Sequence, residues 1–146
     1  MQDSPSPEQL LQAVARYLRD DASPALASAG HAALAYQARV AANMLEMVQR
    51  QAALAPAEQT AELARLQQLL GPGAAAGDAA ADAATPTLAQ LNQRLADAIS
   101  SGAMPSDQPG LADHLWRSTL AKLAVDQPGY ETYRRICAST PTKDPQ

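Results

Sequence analysis

Residues 31–54 read HAALAYQARVAANMLEMVQRQAAL, and this stretch decides the fold. It holds no glycine or proline, and its apolar residues recur at helical spacing, making it the longest helical candidate in the chain. At about 100° per residue, Leu34, Val40, Met44, Leu45, Met47 and Val48 share one side, with Tyr36 and Asn43 at its border. Arg39 lies just beyond, beside Glu46 and Arg50. Two readings stay open. Arg39 and Glu46 can be ordinary solvated charges and Asn43 a border amide, since charged side chains belong at the surface; or Tyr36, Arg39 and Asn43 form a recognition edge.

Upstream, Ser6-Pro7-Glu8-Gln9 announces a first helix: serine caps free amides, proline suits the first helical position, and glutamine closes a capping box. Leu10, Leu11, Val14, Tyr17 and Leu18 continue it, and Ser23-Pro24 and Ala29-Gly30 are expected to interrupt it. Downstream, Pro56-Ala57-Glu58 is read as opening a separate third helix, with Leu63, Leu66, Leu69 and Leu70 on its apolar edge and Gly71-Pro72-Gly73 as its stop. The second and third helices would pair as a hairpin. Residues 72–84 are nearly all Ala, Gly and Asp and read as a linker.

Thr85-Pro86 is the expected cap of a fourth helix carrying Leu88, Leu91, Leu95 and Ile99 and ending near Gly102. A fifth runs from about Leu111 to Val125. Asp126-Gln127-Pro128 ends it ahead of a short last helix through Tyr130, Tyr133 and Ile136, and a flexible tail is expected from 139. Val and Ile are too few and scattered for strands. The pattern predicts an all-α, antiparallel helix bundle of about five helices plus a short C-terminal helix, one domain spanning residues 1–146.

The formal net charge of −4 and isoelectric point near 5.0 give no reason to approach a polyanion, so nucleic acid is not an expected partner. Cys137, the single cysteine, cannot form an internal disulfide, which fits a reducing compartment and makes cytoplasm the expected location. The N-terminus reads as no secretory signal, and no run of about 18 apolar residues predicts a membrane span.

Chemistry is sparse. His31, His114 and Cys137 stand at no metal-ligand spacing. Gly-x-Ser-x-Gly is absent, and Gly71, Gly73 and Gly77 lack the preceding strand of a phosphate loop. The expectation is a non-enzyme with no metal or cofactor of its own. In the fifth helix, Lys122 and Asp126 fall between Leu111 and Leu115 on one side and Leu123 and Trp116 on the other, so they intrude on the apolar sector. They can pair with each other at i, i+4, with Asp126 also capping the last helix; face a partner; or bond Arg39. Trp116 and Tyr130 are core or rim aromatics by default, though both types also anchor interfaces.

Two stretches, Tyr36-Gln37-Ala38-Arg39-Val40-Ala41-Ala42-Asn43-Met44-Leu45 and Lys122-Leu123-Ala124-Val125-Asp126-Gln127-Pro128-Gly129-Tyr130, resemble signatures of the bacterial DUF6285 family, and Met1-Gln2-Asp3 with Leu10-Leu11 and Val14 is similar too. The resemblance implies a small helical protein encoded beside an aminoglycoside-phosphotransferase-like kinase and an acyl-CoA dehydrogenase. By analogy with levulinate catabolism it implies a non-catalytic accessory subunit of a kinase acting on 4-hydroxyacyl-CoA, with ATP, Mg²⁺ and acyl-CoA belonging to the kinase. The partner-binding residues it implies are Tyr36, Arg39, Asn43, Lys122, Asp126 and Tyr130. Gln37 stands where the family favours His, a loss that adds weight to a structural or binding role, and Gln127 and Gly129 replace Asn and Arg around Pro128. The alternatives are a free-standing acyl-CoA-binding bundle, with Lys122 and Arg39 on phosphates, and a homo-oligomer. An accessory subunit should expose an apolar strip with polar borders, at the Tyr36, Arg39, Asn43 edge or the Lys122 to Tyr130 corner.

Overall fold

A computed structural model describes residues 4–71 and 86–139; the linker expected at 72–84, Thr85, and the tail from 140 lie outside them. Every regular element among the described residues is helical: α1 (Pro7–Arg16), a π-helical segment (Tyr17–Ala22), α2 (Ser23–Ser28), α3 (Ala32–Leu70), α4 (Leu88–Ser100), α5 (Leu111–Asp126) and α6 (Glu131–Ser139). The fold is all-α, helix packed on helix. The chain gathers into two compact units that meet in sequence between Leu54 and Ala55.

The first unit is a helical hairpin. Its opening cap is the expected one, with Gln9 N–H donating to Ser6 Oγ at 3.2 Å and Ser6 N–H to Gln9 Oε1 at 2.8 Å. The expected interruption at Ser23-Pro24 does not occur. Proline has no N–H and its ring crowds the carbonyl four residues back. The turn before it widens to π geometry, Ser23 N–H reaching Leu18 O, and the helix continues into α2. The break comes at Ala29-Gly30: Gly30 takes φ +83°, and the His31 and Gly30 amides reach back to Leu26 and Ala27 carbonyls at 2.9 and 3.0 Å, a left-handed glycine cap. Three hydrogen bonds fix the antiparallel register of the returning α3: Ser23 Oγ to Ala35 O (2.9 Å, buried), Arg19 Nη2 to Asn43 Oδ1 (2.6 Å) and Gln49 Nε2 to Glu8 O (2.9 Å).

What this hairpin buries is small. Ala15, Ser23, Ala35, Ala38 and Ala42 are its buried residues. Ala35, Ala38 and Ala42 stand at i, i+3 and i+7, so α3 approaches its neighbour through its smallest side chains. Most of the larger residues of the apolar face and its border are exposed, Leu34, Tyr36, Met44, Met47 and Val48 among them, while Val40 and Leu45 are half-buried.

The expected break before Pro56 is also absent. α3 runs unbroken for 39 residues with Pro56 inside it, so the second and third expected helices are one, not a hairpin. The proline removes one ladder hydrogen bond, yet Ala, Leu, Gln and Glu on both sides are strong helix formers and carry the helix through. Thr60 Oγ1 also bonds the Pro56 carbonyl at 2.9 Å.

The second unit holds the larger core. Leu66 of α3, Leu91 and Leu95 of α4, Met104 and Leu111 form one buried cluster, with Leu63, Leu69, Leu70, Leu88 and Ala98 packed against it. Each fully buried leucine contributes roughly 1.5–3 kcal/mol relative to exposure. The cap of α4 lies two residues later than expected: Thr87 and Gln90 form the capping box, and Pro86 stands before it. Asn92 Nδ2 donates to Glu62 Oε1 at 3.0 Å, tying α4 to α3. Gly110, φ +87°, starts α5 where a side chain would meet Leu69 Cδ2 at 3.5 Å.

Candidate functional site

Tyr36, Arg39 and Asn43 stand at i, i+3 and i+7 on the first half of α3, and all three are exposed, Tyr36 at 62 %. Asn43 is not idle. Its Oδ1 accepts from Arg19 Nη2, while Arg19 Nη1 pairs with Glu46 Oε1, and Arg50 Nη1 lies 4.0 Å from Glu46 Oε2. The hydrogen bond to Glu46 raises the Arg19 pKa above its ordinary value, so the charge is permanent. Arg19 is the member of this edge that the sequence reading missed. Its signal was Glu46, the one carboxylate on α3 between Ala32 and Leu54, but the pairing depends on hairpin register. Arg39, by contrast, makes no ion pair or hydrogen bond among the described residues.

Lys122 and Asp126 of α5 and Tyr130, just before α6, are also exposed, Tyr130 at 51 %. These residues belong to the second unit, and Tyr36, Arg39 and Asn43 to the first. Lys122 and Asp126 form no ion pair with each other among the described residues. The inward face of α5 is set by Leu111, His114 and Val125, all buried, which turns Leu115, Trp116, Lys122 and Asp126 outward. Leu115 and Trp116 are 46 % and 52 % exposed, so the carboxylate and ammonium border an open apolar surface and do not intrude on a core.

Behind α5 lies a buried polar group. His114 is 2 % exposed, and its Nδ1, Ser118 Oγ, and Arg65 Nε and Nη2 make no hydrogen bond. Burial lowers the His114 pKa first, and the positive charge of Arg65 lowers it further; the imidazole is neutral and belongs to the interior. Nearby, Glu58, Arg65, Arg117, Tyr133 and Cys137 line a cleft of about 330 Å³. Arg117 Nε is held at 2.9 and 2.8 Å by the two oxygens of Asp113. The Tyr133 hydroxyl pKa is pushed up by hydrogen bonding to Cys137 and then by burial. No group of three or more His, Cys, Asp or Glu among the described residues could hold a metal ion, and none of their helices is long and apolar enough to cross a membrane.

Fold and surface together define a class: an all-α protein that turns alanines inward and larger apolar side chains outward along one helix. The profile of a family described as a domain of unknown function, DUF6285, matches residues 27–130, and the chain belongs to that family. The match takes in α3, α4, α5 and all six candidate residues, with Tyr130 as its last position, while Arg19 lies outside it. No curated protein and no solved structure matches the chain.

Proposed function

We propose that this chain is a non-catalytic accessory subunit that binds and supports an aminoglycoside-phosphotransferase-like kinase acting on hydroxyacyl-CoA in the catabolism of 4-hydroxy acids. The observation that supports this reading is the outward apolar face of α3, where Tyr36, Met44 and Val48 are 62 %, 60 % and 52 % exposed within the family's matched region. A helix face of this size and composition is the kind of surface that protein partners cover. ATP, Mg²⁺ and the acyl-CoA belong to the kinase in this reading, an acyl-CoA dehydrogenase is a second partner, and the complex works in the cytoplasm.

The test is to co-express the chain with the kinase encoded beside it, purify through a tag on this chain, and assay ATP-dependent phosphorylation of 4-hydroxyacyl-CoA. Co-purification with activity raised at least tenfold over the kinase alone is the expected result. A kinase that is soluble and fully active alone, and does not retain this chain, would sink the reading.

A further inference from the structure

In the second unit the charge of Arg65 has no counter-ion among the described residues. Arg65 stands on α3 three residues after Glu62 and seven after Glu58, yet it pairs with neither. Glu62 Oε1 accepts instead from Asn92 Nδ2 at 3.0 Å, and both oxygens of Asp113 on α5 are taken by Arg117 Nε. His114, whose pKa is depressed by burial and then by the Arg65 charge, brings no negative charge either. The Arg65 atoms buried without a hydrogen bond are Nε and Nη2. These two donors lie side by side on one edge of the guanidinium, the fork that takes both oxygens of a carboxylate. Buried donors on a charged group are costly until an acceptor reaches them.

Arg65 also lines a cleft. With Glu58 of α3, Arg117 and Leu120 of α5, and Tyr133 and Cys137 of α6, it walls a space of about 330 Å³. Alanines at 61, 121 and 124 leave the room between the helices. The volume is at the low end of small-molecule sites, roughly 300–1,000 Å³. Two guanidinium groups and an apolar floor of Leu120 and alanines make up the lining. Glu58, which forms no ion pair among the described residues, and the net charge of −4 disfavour a dianion such as phosphate. A small aliphatic carboxylate meets both halves of the lining, with one charge, two coplanar oxygens and an apolar tail.

We infer that this cleft binds a small aliphatic carboxylate, whose oxygens take the Nε and Nη2 fork of Arg65 and whose tail lies along Leu120, Ala121 and Ala124. Arg65 meets the ligand by turning its guanidinium into the cleft, and the fork exchanges an unpaired interior position for two charge-assisted hydrogen bonds. Arg117 adds a second positive charge in the same wall. Cys137, exposed and the single cysteine, reports on occupancy because it lines the same space. The inference is independent of the accessory-subunit reading, and no kinase enters its test.

The experiment measures how fast N-ethylmaleimide, a neutral reagent, modifies Cys137 in the full chain. Butanoate and hexanoate are titrated from about 0.1 to 50 mM, the span of weak single-site binding, with sodium chloride and inorganic phosphate as controls. Hexanoate is expected to slow the reaction saturably, by at least threefold, with butanoate binding more weakly and the controls without effect. Arg65→Lys keeps the charge but loses the fork, and Ala121→Leu fills the cleft; both should lose the protection while circular dichroism shows them folded. Protection retained by both variants, equal protection by chloride or phosphate, or no protection of the wild type would overturn the inference. A lower melting temperature for Glu58→Gln, with no effect of either carboxylate on the wild type, would overturn it by assigning the Arg65 charge to Glu58.

Discussion

Met44 and Ala42 are two positions apart on α3 and have opposite environments, so swapping their characters tests how the helix is rolled. Met44 is 60 % exposed and Ala42 is 0 % exposed. Full burial of a methionine is worth roughly 1.5–3 kcal/mol, so the buried share of Met44 carries about 1 kcal/mol. Met44→Gln keeps much of the stem and an equivalent helix propensity, which limits its cost to about 0.5–1 kcal/mol. Ala42→Leu forces three more carbons into the contact between α3 and the helix it packs on, and overpacking of that kind costs about 1–3 kcal/mol. At about 3 °C per kcal/mol for a chain of this size, thermal melts followed by circular dichroism at 222 nm should show Met44→Gln within about 3 °C of wild type and Ala42→Leu lower by about 3–9 °C. The reverse order would mean that Met44 faces inward, and the outward-face argument would fail.

In the second unit, Leu66→Ala empties a site that is 0 % exposed, and urea unfolding should show a loss of about 2–5 kcal/mol; a loss below 1 kcal/mol would place Leu66 outside the core. Because burial lowers the His114 pKa beneath the ordinary 6.5, the unfolded chain takes up a proton before the folded one as pH falls. Stability is therefore unaffected by this group above about pH 6.5 and is lost below it, by up to about 1.4 kcal/mol per pH unit until the folded pKa is reached. Urea titrations at pH 8 and pH 5.5 should show a smaller acid loss for His114→Leu than for wild type, and equal losses would refute the assignment. Pro56→Ala restores a ladder hydrogen bond in α3 and should raise the melting temperature by an amount equivalent to about 1–3 kcal/mol; a fall would show that the helix needs the proline.

Helical periodicity carried most of the fold, because caps and glycine stops act locally. Ser6 with Gln9, Gly30, Gly71 and the leucines from Leu63 to Leu95 all act as the sequence implies. Proline was over-read twice, at Pro24 and Pro56, because its local cost is real but can be absorbed by a π turn in one case and by strong helix formers on both sides in the other. The facing of α3 was harder to read. A helical wheel finds where apolar residues cluster, but it cannot say whether a row of alanines at Ala35, Ala38 and Ala42 outcompetes that cluster for the interior. The hairpin needs close approach, and only small side chains permit it. For the same reason the pairing of Arg19 with Asn43 and Glu46 was out of reach, since it depends on which residues the hairpin register brings level. The exposure of Lys122 and Asp126 follows from the roll of α5, which His114 and Val125 set by being buried.

Methionine oxidation tests the central claim most directly. The chain should be exposed to a limiting dose of hydrogen peroxide, alone and with its kinase, and the sulfoxide at each methionine quantified by peptide mass spectrometry. Of the three described methionines in the free chain, Met44 should oxidise fastest and Met104, 9 % exposed, slowest. With the kinase present, Met44 and Met47 should be protected at least fivefold while Met104 is unchanged. Slow oxidation of Met44 in the free chain, or no protection by a bound kinase, would contradict the claim that this face is open and that a partner covers it.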